Sequence, residues 1–188
     1  MQEGAAVLRQ KAMPVLKKDF GSPNLKRLIN KMKKALEVEE YGVAIAAPQI
    51  GESLRVFVIA EKVFNESKHS EESGLAEQGE ETRGSFRKNV LMDKPLVFIN
   101  PTLTRLSRKK REMSEGCLSV RGKYGAVLRH EKATITAQDI HGTTFIYNGS
   151  GLLAHIFQHE VDHLEGILYI DKATRLADEH HSTPLDHE

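Results

Sequence analysis

Downstream of Pro23, the apolar positions Leu25, Leu28, Ile29, Met32 and Leu36 return every three or four residues among lysines, arginines and glutamates. That period predicts an amphipathic helix whose Met and Leu stripe packs into a core, with Ser22 and Pro23 as its N-cap and first-turn pair. Two runs rich in β-branched and aromatic side chains predict strands: residues 54–60 (LRVFVIA), and residues 96–100 (LVFIN), which stop at Pro101. Residues 61–95 between them are dominated by Glu, Ser, Gly, Lys and Arg. They are expected to form a long flexible insertion, disordered rather than built as a dedicated site. The stretch KATITAQDIHGTTFIYNGS alternates apolar and polar residues on both sides of His141 and Gly142, the pattern of a β-hairpin. From Ser150 the period turns helical, through Leu152, Leu153, Ile156, Phe157 and Leu164, with Ser150 as cap and Gly166 as a left-handed stop. ILYID then predicts a short extended segment. Residues 177–188 are a polar tail expected to fray, and its His180, His181 and His187 lack the fixed geometry that a metal site needs.

The 188 residues suffice for one domain with a core and are tight for two. With 39% hydrophobic and 28% charged residues the chain is ordinary for a globular protein, and its net charge of +1 exerts no global pull on nucleic acid or anionic membrane. The basic run RKKR at 108–111 is expected to be a solvated loop. No apolar run approaches the roughly 20 residues of a transmembrane helix, and the N-terminus lacks a secretory h-region, so cytoplasm is the expected compartment. The single cysteine, Cys117, excludes an intramolecular disulfide and leaves three roles open: buried hydrophobe, nucleophile or metal ligand.

The chemistry concentrates on the second helix, in QHEVDHLEG. At about 100° per residue, His159 and His163 project within about 40° of each other and can hold one metal ion. Glu160 is rotated enough to leave that ion free yet reach a water on it, the arrangement of H-E-x-x-H hydrolases. The pentapeptide alone also arises by chance. The apolar residues before it turn this face inward, where an unpaired carboxylate costs several kcal/mol and a cation offsets that cost. Asp162 faces away and reads as a structural pairing group. Cys117, in SEGCLSV, is the candidate third ligand, with the residues after it expected to enter the core as a strand; a thiolate and two imidazoles suit zinc or ferrous iron equally. In YGVAIAAPQIG, Gly42, Ala44, Ala46 and Ala47 permit close backbone approach, and Gln49 carries an amide suited to an oxyanion, although tight packing alone explains the small residues equally well.

GVAIAAPQ, EGCLS and HEVDH, in this order, resemble the peptide deformylase motifs G-φ-G-φ-A-A-x-Q, E-G-C-φ-S and H-E-x-D-H, where φ is apolar. The resemblance runs from GAAVLRQKAMPV to ILYIDKA. It implies an α+β fold, with antiparallel strands packed around a central metal-binding helix and an amphipathic N-terminal helix, in a single catalytic domain over 1–176. The implied activity is removal of the N-formyl group from the initiator N-formylmethionine of new polypeptides, releasing formate. By motif match Cys117, His159 and His163 hold one divalent metal, Fe2+ favoured, with Zn2+, Ni2+ or Co2+ as alternatives. Glu160 becomes the general base and then acid, and Gln49 with the Leu118 backbone N–H stabilises the oxyanion. Gly42, Val43, Ala44, Glu115, Gly116, Leu152, His155 and Ile156 are implied to bind substrate, with Arg129 supporting the site through Glu115.

Several positions depart from the family pattern. Ala44 replaces the second motif glycine, His155 stands in a position usually apolar, Arg121 replaces a common proline, and the insertion is longer than in compact bacterial members. The acidic, histidine-rich tail argues against ribosome docking through a basic C-terminal helix. The implied partners are N-formylmethionyl peptides and nascent chains, with transient ribosome contact, no sequence-specific nucleic acid and no membrane. The implied location is bacterial cytoplasm, or an organelle after loss of a presequence. Two other readings remain open at this point: a metallopeptidase cleaving another amide, and a binding module whose metal serves folding alone.

Overall fold

The structure, a computed structural model, describes residues 1–64 and 96–178. Helix α1, Pro23–Glu37, starts as its sequence dictates: Ser22 Oγ accepts the Leu25 N–H at 3.2 Å and Pro23 occupies the first turn, where no intrahelical donor is needed. Its five periodic apolar residues, Leu25, Leu28, Ile29, Met32 and Leu36, are all buried. They pack with Ile45, Val56, Val58 and Ile99 on one face of a five-stranded sheet. The strands of that sheet are β1 (Ala44–Ala46), β2 (Val56–Ile59), β3 (Leu96–Leu106), β6 (Lys132–Gln138) and β7 (Thr144–Ser150), hydrogen-bonded in the order β1-β2-β3-β6-β7. The opposite face carries Phe57, Ile59, Phe98 and Ile135, which meet Ala154, Ile156, Phe157 and Leu164 of helix α2, Gly151–Leu164. Strand β2 is therefore covered on both faces, which is why VFVI is apolar without alternation.

A second, three-stranded sheet of β4 (Lys110–Cys117), β5 (Val120–His130) and β8 (Arg175–Asp178) has the order β4-β5-β8. Every strand pair in both sheets is antiparallel. Helix α2 contacts β1, β3, β6 and β7 of the large sheet and β5 of the small one. The fold is thus α+β, with antiparallel strands around a central helix.

Several expectations are corrected in detail. Strand β3 does not stop at Pro101 but runs on to Leu106, because a register shift between Ile99 and Thr102 places the proline where the ladder needs no N–H. Asn100 there adopts φ 50, and its carboxamide bonds both the N–H and the carbonyl of Val15. Ser150 makes no side-chain cap: it is the last residue of β7, paired with Lys132, and the chain passes directly into α2. Cys117 is itself the last residue of a strand, β4, and the strand expected after it, β5, begins at the buried Val120. ILYID closes a 3-10 turn at Tyr169–Asp171, because the Asp171 carboxylate accepts the Leu168 N–H at 2.8 Å. Finally, Ala177 and Asp178 pair with Tyr124 and Lys123 instead of fraying, and Val63, at the start of the expected insertion, is buried in the core.

The remainder of the expected insertion and of the histidine-bearing tail lies outside the described residues. The hairpin expected around His141 and Gly142 is β6–β7, with Gly142 at φ 85. Arg108, Lys109, Lys110 and Arg111 are all exposed, but the expected loop covers only the first two: Lys110 and Arg111 begin β4, paired with His130 and Arg129.

Candidate active site

The four-residue spacing on α2 sets the His159 and His163 rings 4.9 Å apart between centroids. From the end of β4, Cys117 brings its Sγ within 3.2 Å of His163 Nε2. One donor atom from each of Cys117, His159 and His163 lies within 4.8 Å of the others. An ion with metal–ligand distances of about 2.0–2.3 Å holds tetrahedral donors about 3.3–3.8 Å apart, so the 3.2 Å Cys117–His163 pair opens slightly while any wider separation closes to gather the three around one centre. His159 Nδ1 is 2.6 Å from Glu115 Oε2, which leaves Nε2 for an ion. Gln49 Nε2 and the Ser119 N–H each lie 3.4 Å from the Cys117 sulfur, and Gln49 is itself oriented by its Oε1, which accepts the Ala46 N–H at 2.7 Å.

The residues fit a metal through the convergence of their donor atoms and a buried carboxylate left without a partner among the described residues. Glu160 Oε2 and His163 Nδ1 are buried with no hydrogen-bond partner among the described residues. Burial pushes the Glu160 carboxyl up to about 7, with the charge of His159 opposing and that of Glu115 adding; a cation beside it would favour the carboxylate. The two imidazoles also differ. Burial and the neighbouring His159 hold His163 well below its ordinary value, which keeps its lone pair available. His159 is drawn well above its ordinary value: burial opposes this, but contacts with Cys117 and Glu115 outweigh it.

A cleft opens onto these groups. The β1 segment lines it with Gly42, Val43, Ala44 and Gln49, and the end of β4 with Glu115, Gly116, Cys117 and Leu118. Helix α2 adds Leu152, His155, Ile156, His159 and Glu160. His163 and Arg129 stand behind the wall, both buried. Arg129 bonds Glu115 through Nε at 2.6 Å and Nη2 at 3.1 Å, and reaches Asp162 with Nη1 at 2.6 Å. Asp162 is thus a pairing group, as its direction on the helix predicts, and it is also held by Lys172 at 2.7 Å. Burial pushes the Glu115 carboxyl up, but His155, His159 and Arg129 together hold it well below the usual carboxylate range.

His155 is buried, with its Nε2 2.7 Å from Glu115 Oε1, a close contact outside hydrogen-bond angles. The glycines have local reasons. A Cβ on Gly116 would stand 2.9 Å from the Tyr124 ring, and one on Gly42 would stand 2.9 Å from Leu36 and 3.0 Å from Glu39.

Sequence reasoning missed Met113 and Tyr124, which also line the cleft. Met113 sits two residues before Glu115 on β4 and shares its face, a signal available once 110–117 is recognised as a strand. The Arg121–Glu39 ion pair at 2.6 Å, which joins the start of β5 to the loop after α1, had no signal in either segment alone.

The sequence model of the polypeptide deformylase family matches residues 1–179. A peptide deformylase of Christiangramia forsetii is 36% identical over 173 residues, covering 92% of this chain and 80% of that protein. The chloroplastic/mitochondrial peptide deformylase 1A of Arabidopsis thaliana is 37% identical over 169 residues; they are 90% of this chain but 58% of that longer protein. Among solved structures, a Plasmodium falciparum peptide deformylase superposes with a TM-score of 0.72 at 30% identity, covering 93% of this chain and 86% of that one. Arabidopsis thaliana peptide deformylase 1B in complex with an inhibitor gives 0.71 at 32% identity, covering 93% and 80%. The chain belongs to the polypeptide deformylase family, hydrolases that remove the formyl group from the N-formylmethionine of nascent peptides.

Proposed function

We propose that Cys117, His159 and His163 hold the catalytic divalent ion and that Glu160 moves the proton in deformylation of N-formylmethionyl peptides. The observation that carries this reading is the buried, unpartnered Glu160 Oε2 beside three convergent donor atoms at the wall of a cleft. The softness of the thiolate and imidazole set does not choose between Fe2+ and Zn2+; the family resemblance favours Fe2+, with Zn2+, Ni2+ and Co2+ as alternatives. A divalent ion bound there supplies Lewis acidity, polarising the formyl carbonyl and acidifying water at neutral pH. Glu160 takes a proton from the attacking water as its oxygen bonds to the formyl carbon. When the C–N bond breaks, Glu160 returns that proton to the departing amine, leaving formate and a free N-terminus.

Gln49 Nε2 and the Leu118 backbone N–H are the oxyanion donors, and losing one such donor typically costs roughly 3–4 kcal/mol. Val43, Leu152 and Ile156 form the apolar wall for the methionine side chain, while Gly42, Ala44 and Gly116 bring backbone close to the peptide. His155 contributes to that wall, and Glu115 with Arg129 holds it in place. The natural substrates are formylated nascent chains, met during transient contact with the ribosome, without sequence-specific nucleic acid or membrane binding. No helix among the described residues is long and apolar enough to cross a membrane. Bacterial cytoplasm is the favoured location and an organelle the alternative. We read residues 1–176 as one catalytic domain.

Glu160→Gln separates chemistry from binding. It should retain one metal per chain by elemental analysis while losing formate release by at least about a hundredfold. Undiminished turnover would remove Glu160 from the mechanism.

A further inference from the structure

Helix α2 carries three histidines in successive four-residue steps, and the first of them is no metal ligand. His155, His159 and His163 lie along one face, each displaced about 40° from the last. His163 reaches Cys117, and His159 reaches both the ligand cluster and Glu115. His155 turns its Nε2 to the other oxygen of the same carboxylate, 2.7 Å away. Glu115 therefore has two nitrogen partners on each oxygen: Arg129 Nε and His155 Nε2 at Oε1, Arg129 Nη2 and His159 Nδ1 at Oε2. His155, Glu115 and Arg129 are each less than a tenth exposed. His155 Nε2 is buried against the carboxylate and is not offered to the cleft, although the residue forms part of the cleft wall.

A carboxylate held by Arg129 alone keeps freedom to tilt about that pair. A further nitrogen on Oε1, delivered from the same helix that carries His159, removes that freedom. The orientation of Oε2 then fixes the ring plane of His159, and with it the direction of Nε2. We propose that His155 is a positioning residue that aims the ligand His159 through Glu115. The inference rests on the reading of His159 as a metal ligand. It also says why a histidine is accepted in a pocket helix: its polar edge is engaged by Glu115, so the wall facing the methionine side chain need not become more polar.

The test compares His155→Leu, which fills the space without a donor, with His155→Gln, whose amide can donate to Glu115. All three proteins are loaded with Co2+, and the readouts are Co2+ affinity by chelator competition, the visible Co2+ spectrum, and kcat and KM for a formyl-methionyl peptide. The Leu variant should bind Co2+ at least about tenfold more weakly, with a shifted spectrum. Its kcat should fall while KM stays within about twofold, since the pocket remains apolar. The Gln variant should recover most of the affinity and the wild-type spectrum. Wild-type affinity and spectrum in the Leu variant would overturn the inference, as would an equal loss in both variants with no spectral change. Failure of the wild type itself to bind Co2+ or release formate would overturn the parent reading instead.

Discussion

Replacing Arg129 by Met removes the cation shared by two acidic groups. Arg129 is 4% exposed and Glu115 2%, and the carboxylate keeps only its two histidine contacts once the guanidinium is gone. Asp162 keeps Lys172 at 2.7 Å. Removing one partner of a buried ion pair costs about 3–5 kcal/mol, chiefly because the remaining charge stays desolvated. Both acids retain a second partner, so the loss should fall within that range rather than double it. For a chain of this size each kcal/mol lowers the midpoint by about 2–4 °C, which gives a fall of roughly 6–20 °C. Urea unfolding of metal-free Arg129→Met and wild type measures the difference without a contribution from metal binding. The double variant Glu115→Leu/Arg129→Met should lose less than the sum of the singles, since no orphaned carboxylate remains at 115. A loss below about 1 kcal/mol in Arg129→Met would refute the argument, because it would mean that Glu115 is not dependent on its guanidinium.

Two further outcomes follow from the surface pairs. The Asp171 carboxyl lies below its ordinary value of 3.8: partial burial opposes this, but Arg9 and the Leu168 N–H outweigh it. A lowered folded-state value makes the contribution complete above the ordinary, unfolded value and lost as pH falls from there through the folded value. The stability gap between wild type and Asp171→Asn should therefore be flat from neutral pH to about 5 and shrink on further acidification, staying within about 1 kcal/mol because both partners are exposed. Arg121→Ala breaks the pair with Glu39 between two segments lining the cleft; stability should change by less than about 1 kcal/mol, while KM for formyl peptides should lose part of its salt dependence.

What the sequence made legible tracks how each element is buried. Helix α1 was readable to within a turn because one face is wet and the other packed, and β2 because both faces are covered. Strand β4 was not, because it is an edge strand whose residues Lys110, Arg111 and Glu112 are exposed, so KREMSEGC carries little apolar signal. Strand β8 is exposed at all four residues and reads like the polar tail that follows it. The continuation of β3 beyond Pro101 depends on a bulge that only the partner strand defines. The cleft residues were legible because their motifs are local, with Cys117, His159 and Glu160 each inside a short run. The role of Glu115 as the meeting point of Arg129, His155 and His159 was not, since it needs β4, β5 and α2 in register. A histidine in this usually apolar position can make the methionine pocket more polar or merely hydrogen-bond at its rim. The structure instead engages its Nε2 with a buried carboxylate.

The central claim is that this site hydrolyses a formyl amide at methionine. The measurement that tests it most directly is anaerobic formate release from a formyl-methionyl tripeptide by the Fe2+-loaded chain, run beside the same peptide carrying an acetyl group. The account predicts turnover of the formyl peptide with one ion per chain, and at least about a hundredfold lower kcat/KM for the acetyl peptide, whose extra methyl must fit where the site accommodates only hydrogen. Equal cleavage of both peptides, or no formate from a fully metal-loaded chain, would contradict it.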